Sequence, residues 1–359
     1  MEANPVVGVL EHDRIELGAG GEIRRARHVS SHHYLPWHCP IGRRRDEAQD
    51  GCPGTVGTHV SRRVPLVGAV GGRILVGTAS WTDRSLVASG WYPEGVSSAE
   101  DRLRHYASRF PLVEVDSTYY ALPRQVMARD WASRTPADFT FDVKAFSLLT
   151  QHPTRASSIP RGIDVESDKA TVYLKHVDEQ GVGQLWDRFL DGVDPLRRTN
   201  KLGCLVFQFP PWFSSRSANR EYVVDCADRA AADRIAVEFR HPSWFKPEER
   251  ERTLALLADH SIALVCADMP QRVDKALPRL AAATSTELAM VKFHGRNRQG
   301  WEESSFQGLT DYRYRPKELE AWVPDLRRLA EEAGEVHVVF RNMHGDNAVR
   351  NAEQLMDRL

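Results

Sequence analysis

No stretch of this sequence is apolar for long enough to cross a bilayer. The most apolar early run, Val64 to Thr78, is broken by Gly68, Gly71, Gly72 and Arg73 and falls short of the roughly 20 residues that a membrane helix needs. The first ten residues carry acidic Glu2 where a secretory signal has a basic start and an apolar run, so a cytoplasmic protein with no membrane partner is expected. Charge imbalance is missing too. The 48 basic and 49 acidic residues leave a formal net charge of -1, which supplies no global attraction to nucleic acid or anionic lipid. Cysteine is sparse: Cys39, Cys52, Cys204, Cys226 and Cys266 form no close-spaced metal or redox pair, and three of them sit in apolar segments, as reduced thiols do.

What is present is enough apolar material for a large core. Hydrophobic residues make up 42% of the chain and charged ones 27%, a globular balance. Residues 1–71 stand apart, because they are rich in Arg, Gly and His and show little periodicity; they read as a disordered leader. His32, His33, His38, Cys39, Cys52 and His59 fall there, but the interval from Cys39 to Cys52 is not the short pairing of a structural zinc site.

From Gly72 onward, apolar runs of strand length alternate with longer segments of helical period, the pattern of parallel βαβ units. Eight strands are expected: Ile74–Thr78, Leu112–Asp116, Phe139–Lys144, Gly203–Phe209, Ile235–Phe239, Ile262–Ala267, Ala289–His294 and Val336–Phe340. They are apolar nearly throughout, as strands covered on both faces are. Ser97 and Glu100 are spaced as a capping box ahead of a helix whose core face is Leu103, Tyr106, Ala107 and Phe110. Pro247 suits the first turn of another helix, carrying Leu254, Leu257 and Ala258. Met269 to Thr286 shows no helix, and 147–182 is a long loop insertion after the third strand. The fold class is thus α/β, a (β/α)8 TIM barrel over 72–359.

In such a barrel every strand ends at one mouth, so polar residues that close apolar strands become neighbours. Trp81, Asp116, Lys144 and Gln208 hold such positions in the first half. Glu238, Arg240, His241, Asp268, His294, Arg296 and Asn342 hold them in the second. These segments also carry a resemblance. VGTASW, VEVDSTYYALP, WASRTPADFTFDVK, LVFQFPP, VEFRHPSWF, VKFHGR and FRNMHGDNAVRNA are similar, in order, to the YecE-like family, number 72 among the domains of unknown function. The resemblance implies a TIM barrel and no particular reaction. Arg341 departs from the family pattern, which resembles paired asparagines after the last strand, so one mouth contact is expected to differ.

Each candidate has a structural alternative. Glu238 ends an apolar strand where catalytic acids and metal ligands occur, yet Glu114 can hold it in a structural network. Arg240 is a substrate contact or merely a counter-ion. His294 is a general base, a metal ligand, or a histidine bonded to a mouth loop. With Asp268 and His241 these form a set compatible with zinc or manganese, although the sequence names no cofactor. Lys144 suits a Schiff base with a carbonyl substrate or an ion pair with Asp116 or Glu238. Arg296 and Arg298 with Gly295 and Gly300 lie where barrels often bind phosphate, and Trp301, Tyr312 and Tyr314 follow. The expectation is an enzyme acting on a small polar ligand, sugar-like or phosphorylated, as a metal-assisted hydrolase or lyase. In it Glu238, His294, Lys144 and Asp268 carry the chemistry. The rival is a non-catalytic module for nucleic acid or protein, against which the neutral net charge weighs for nucleic acid.

Overall fold

The computed structural model describes residues 71–359 apart from Ala231, Arg272, Asp274, Lys275, Ser304 and Ser305. All but the last residue of the leader expected over 1–71 lies outside the described residues. The eight expected strands are present: β1 Arg73–Ala79, β2 Leu112–Val115, β3 Thr140–Lys144, β4 Leu202–Gln208, β5 Ile235–Glu238, β6 Ala263–Asp268, β7 Leu288–Phe293 and β8 Glu335–Phe340. Each pairs in parallel with its chain neighbours, and β8 closes on β1 through the register Arg73 with Glu335 to Thr78 with Phe340. The fold is a closed α/β barrel surrounded by helices.

Side chains alternate between the two faces of a strand, and this divides the core. Outward residues such as Val113, Phe141, Phe207, Val237, Phe293 and Phe340 pack under the helices. Inward residues Leu75, Leu112, Cys204, Val206, Ala236, Val265, Met290 and Val339 fill the barrel interior. The polar residues two positions away from these share the inward face. Glu114 follows Leu112, Glu238 follows Ala236, Lys292 follows Met290, Asp142 precedes Lys144 and His337 precedes Val339. All of them are buried.

The helix Ala99–Arg109 is capped by Ser98, whose side chain accepts from the Asp101 backbone, rather than by Ser97 with Glu100. The cap lies one residue later than the spacing indicates, because Ser98 and Asp101 supply the same chemistry in that register. Tyr106 from this helix accepts from Thr78 N at 2.7 Å and donates to Leu112 O at 3.0 Å, fastening β1 to β2. Pro247 does open its helix, Pro247–Asp259, but the covered face is Thr253 and Leu257 while Ala258 is exposed. Among the described residues of 269–286 there is no helix. There Thr284 donates to Ile262 O at 2.6 Å and accepts from Leu264 N at 2.8 Å, so an extended chain covers β6 where a helix would.

Candidate functional site

The carboxyl ends of β2, β5 and β7 bring three charges together on the barrel axis. Lys292 Nζ lies 2.6 Å from Glu114 Oε2 and 2.9 Å from Glu238 Oε2, and all three side chains are fully buried. Charges so far from water persist only when paired. Burial alone would discharge the lysine, but the two carboxylates outweigh it and raise its pKa. Burial lifts Glu114 to about 7 despite the opposing Lys292 charge. Glu238 goes the other way: burial works against its charge, but Arg240, Lys292 and His294 outweigh that and hold it well below the usual carboxylate range.

One layer toward solvent, Glu238 Oε1 sits 2.6 Å from Arg240 Nε and 3.0 Å from His294 Nε2. Arg240 also reaches Gln208 Oε1 at 3.4 Å. Burial, reinforced by Arg240, pushes His294 down to about 3, so at neutral pH it is an uncharged imidazole. Lys144 Nζ lies 3.4 Å from Asp116 Oδ1, and Arg341 Nε lies 3.8 Å from Asp116 Oδ2. Burial lowers the Lys144 pKa more than Asp116 raises it. Burial would raise Asp116, yet Lys144 and Arg341 leave its pKa lowered.

The rim is aromatic. Thr118 donates to Lys144 O at 2.6 Å and thereby holds the turn after β2 against β3, placing the Tyr119 ring 4.8 Å from Lys144 Nζ. His152 lies 5.2 Å from Tyr119 and 6.1 Å from Trp212 between ring centroids. The Pro210-Pro211 turn, closed by Phe213 N to Pro210 O at 3.0 Å, buries Phe213 against Phe209 and leaves Trp212 58% exposed.

Of the residues expected at the mouth, Glu238, His294, Lys144, Asp116, Arg240 and Gln208 converge. Trp81 borders them, packed edge-on to Trp131 and lining a cleft of about 200 Å³ that Asp116 also lines. Asp268 does not join the cluster. Ala263 and Val265 face inward, so the alternation turns Asp268 outward. There its two oxygens accept from Arg296 Nε at 2.8 Å, Arg296 Nη2 at 2.6 Å, Tyr314 at 2.8 Å and Trp322 Nε1 at 2.7 Å. Arg296 is consumed by the same pair, with Glu318 a further 3.5 Å away. His241 caps a local turn through Ser243 N, and Asn342 donates to Tyr312 O and Asn351 Oδ1. The zinc or manganese set drawn from Glu238, His294, Asp268 and His241 is therefore not assembled.

Sequence reasoning passed over Lys292, His152, Tyr119 and the contact that Arg341 makes. Lys292 had a signal, since it sits two residues before His294 and so on the same strand face. His152 had none: it arrives on a loop whose path no periodicity encodes.

A parallel barrel with a buried ionic network at the carboxyl ends of its strands defines the class of this protein. The sequence matches the family described as Protein of unknown function DUF72 over residues 75–359. It is 32% identical to the UPF0759 protein YunF of Bacillus subtilis (strain 168), covering 80% of this chain and 94% of that one. It is 27% identical to the UPF0759 protein YecE of Escherichia coli (strain K12) over 50% of this chain and 53% of that one. Among solved structures, a DUF72 family protein of Enterococcus faecalis V583 has a TM-score of 0.66 at 27% identity, covering 80% of this chain and 95% of the other. A DUF72 family protein of Thermotoga maritima MSB8 has a TM-score of 0.63 at 27% identity, covering 79% and 98%. The chain belongs to the DUF72 family.

Proposed function

We propose that the barrel mouth binds a small anionic ligand bearing a ring, a sugar phosphate or sugar acid in class, and acts on it as an enzyme. The observation that carries this is the charge count. Lys144, Arg240, Lys292 and Arg341 face only Glu114, Asp116 and Glu238 at the mouth, and His294 is neutral. One cation is left over in a low-dielectric setting, where a ligand anion is the natural complement. Tyr119 and Trp212 offer faces for the ring, and the neutral imidazole of His294 is a hydrogen-bond partner beside it. Of the carboxylates expected to hold a metal, Glu238 is engaged by Lys292 and Arg240 and Asp268 by Arg296, so this end favours an anion over a cation.

Lys144 supports a second reading of the chemistry, in which its amine condenses with a carbonyl carbon of the ligand to give an imine and water. Burial lowers its pKa, so Lys144 gives up its proton more readily than a free lysine; in this reading it is a nucleophile and no longer one of the mouth's cations. The nucleic-acid reading gains nothing from the loop after β7, because Arg296 is bound to Asp268.

Calorimetric titration with sugar phosphates, sugar acids and the matching neutral sugars tests the proposal. Binding of charged members only is expected, weakened by about tenfold to a hundredfold in Arg341→Ala, the worth of one charge-assisted contact. Equal binding of neutral sugars would overturn it. Borohydride trapping that adds the ligand's mass at Lys144 distinguishes the imine route.

A further inference from the structure

The other end of the barrel interior holds a second set of chemistry-bearing side chains that the mouth does not use. Asp142 on β3, Cys204 on β4 and His337 on β8 are all fully buried, and their donor atoms lie within 4.8 Å of one another. Cys204 Sγ is 3.2 Å from Asp142 Oδ1, and His337 Nδ1 is 2.9 Å and 3.0 Å from the two carboxylate oxygens. Cys204 forms no disulfide.

We propose that this end of the barrel is a binding site for a divalent transition-metal ion of the zinc class, ligated by Asp142, Cys204 and His337. The donor set is the first reason: one sulfur, one imidazole nitrogen and one carboxylate suit zinc or cobalt and are foreign to magnesium or calcium. The outer partner is the second. His337 Nε2 is turned away from the other donors and lies 3.3 Å from Glu335 Oε2, the hydrogen bond by which a carboxylate orients a metal-binding imidazole. Glu335 is itself fixed by Arg73 and by Arg234, the latter at 2.8 Å.

Space is the third reason. A tetrahedral shell sets such donors about 3.3–3.6 Å apart, so the two hydrogen-bonded separations to Asp142 have to open by only a few tenths of an ångström, and Sγ and Nδ1 already lie within 4.8 Å of each other. Gly203, next to Cys204, lets the donors approach this closely: a Cβ there would overlap Asp142 Oδ1 and lie 3.0 Å from His337 Cε1. On binding, the protons now shared between these donors leave to solvent, because ligation requires the thiolate and a bare Nδ1. With three protein ligands drawn from three strands, the ion would fasten β3, β4 and β8 across the barrel at the end away from the mouth.

The test uses the full chain, reduced and stripped with a chelator, then titrated with cobalt(II). Replacing Cys39, Cys52, Cys226 and Cys266 by serine leaves Cys204 as the sole thiol. In that chain a thiolate-to-cobalt charge-transfer band saturating at one equivalent is expected, displaced by zinc and accompanied by a higher melting temperature. No band there, including a band in the native chain that depends on Cys39 and Cys52, overturns the proposal. If the fourfold variant does not fold, Cys39→Ser/Cys52→Ser takes its place. Loss of its band in His337→Gln supports the site, and a band indifferent to that change overturns it.

Discussion

Lys292 is the residue on which the mouth depends. It sits in a dry interior with a carboxylate on either side, and removing it leaves two buried charges with one partner fewer. Lys292→Met is expected to lose about 3–5 kcal/mol of unfolding free energy by chemical denaturation. Adding Glu114→Gln to that variant is expected to restore part of the loss, since the carboxylate that Lys292 paired is then gone, whereas Glu238 keeps Arg240. His294 gives a pH signature. Its pKa falls from 6.5 to about 3 on folding because of burial and Arg240, so the unfolded chain binds the proton more tightly. Stability from this group is therefore complete above about pH 6.5 and drains away as pH drops toward 3, by a few kcal/mol at most. In His294→Gln, denaturation curves across that window are expected to show a shallower fall than in the native chain; an identical slope would refute the assignment. Glu114, raised to about 7 by burial, works in the opposite direction and is common to both chains.

At the level of elements, the strands were legible because each is a short apolar run buried on both faces. The helices were legible where a cap or a proline marked the start. What escaped was inside the strands. Reading only the polar residues that close a strand finds Lys144 and His294 but passes over Asp142 and Lys292, which lie two positions earlier on the same inward face. The reverse error put Asp268 in the mouth. One residue out of phase with Ala263 and Val265, it faces the helices and anchors the segment after β7 by accepting from Arg296, Tyr314 and Trp322. Asp268→Asn puts an NH2 group among donors, so faster amide hydrogen exchange is expected over 295–315, with exchange at β2 and β3 unchanged. Uniform loosening of the barrel would contradict this anchoring role.

Across the whole molecule, a chain of formal charge -1 carries two buried sets of ionic side chains inside one barrel, with the apolar Val206, Val265, Met290 and Val339 also facing inward. Net charge could not show this, because it sums surface and interior alike. The mouth holds four basic side chains, Lys144, Arg240, Lys292 and Arg341, against three carboxylates, and Arg341 stands at the position where the family pattern resembles paired asparagines. Because these charges are buried, anion affinity at the mouth is expected to weaken only mildly as salt rises, unlike a surface patch. The most direct measurement is anomalous diffraction from a crystal of this protein soaked in selenate. A selenium peak is expected within hydrogen-bonding reach of Lys144, Arg240 and Arg341. Selenate bound elsewhere, with the mouth showing none at saturating concentration, would contradict the proposed anion site.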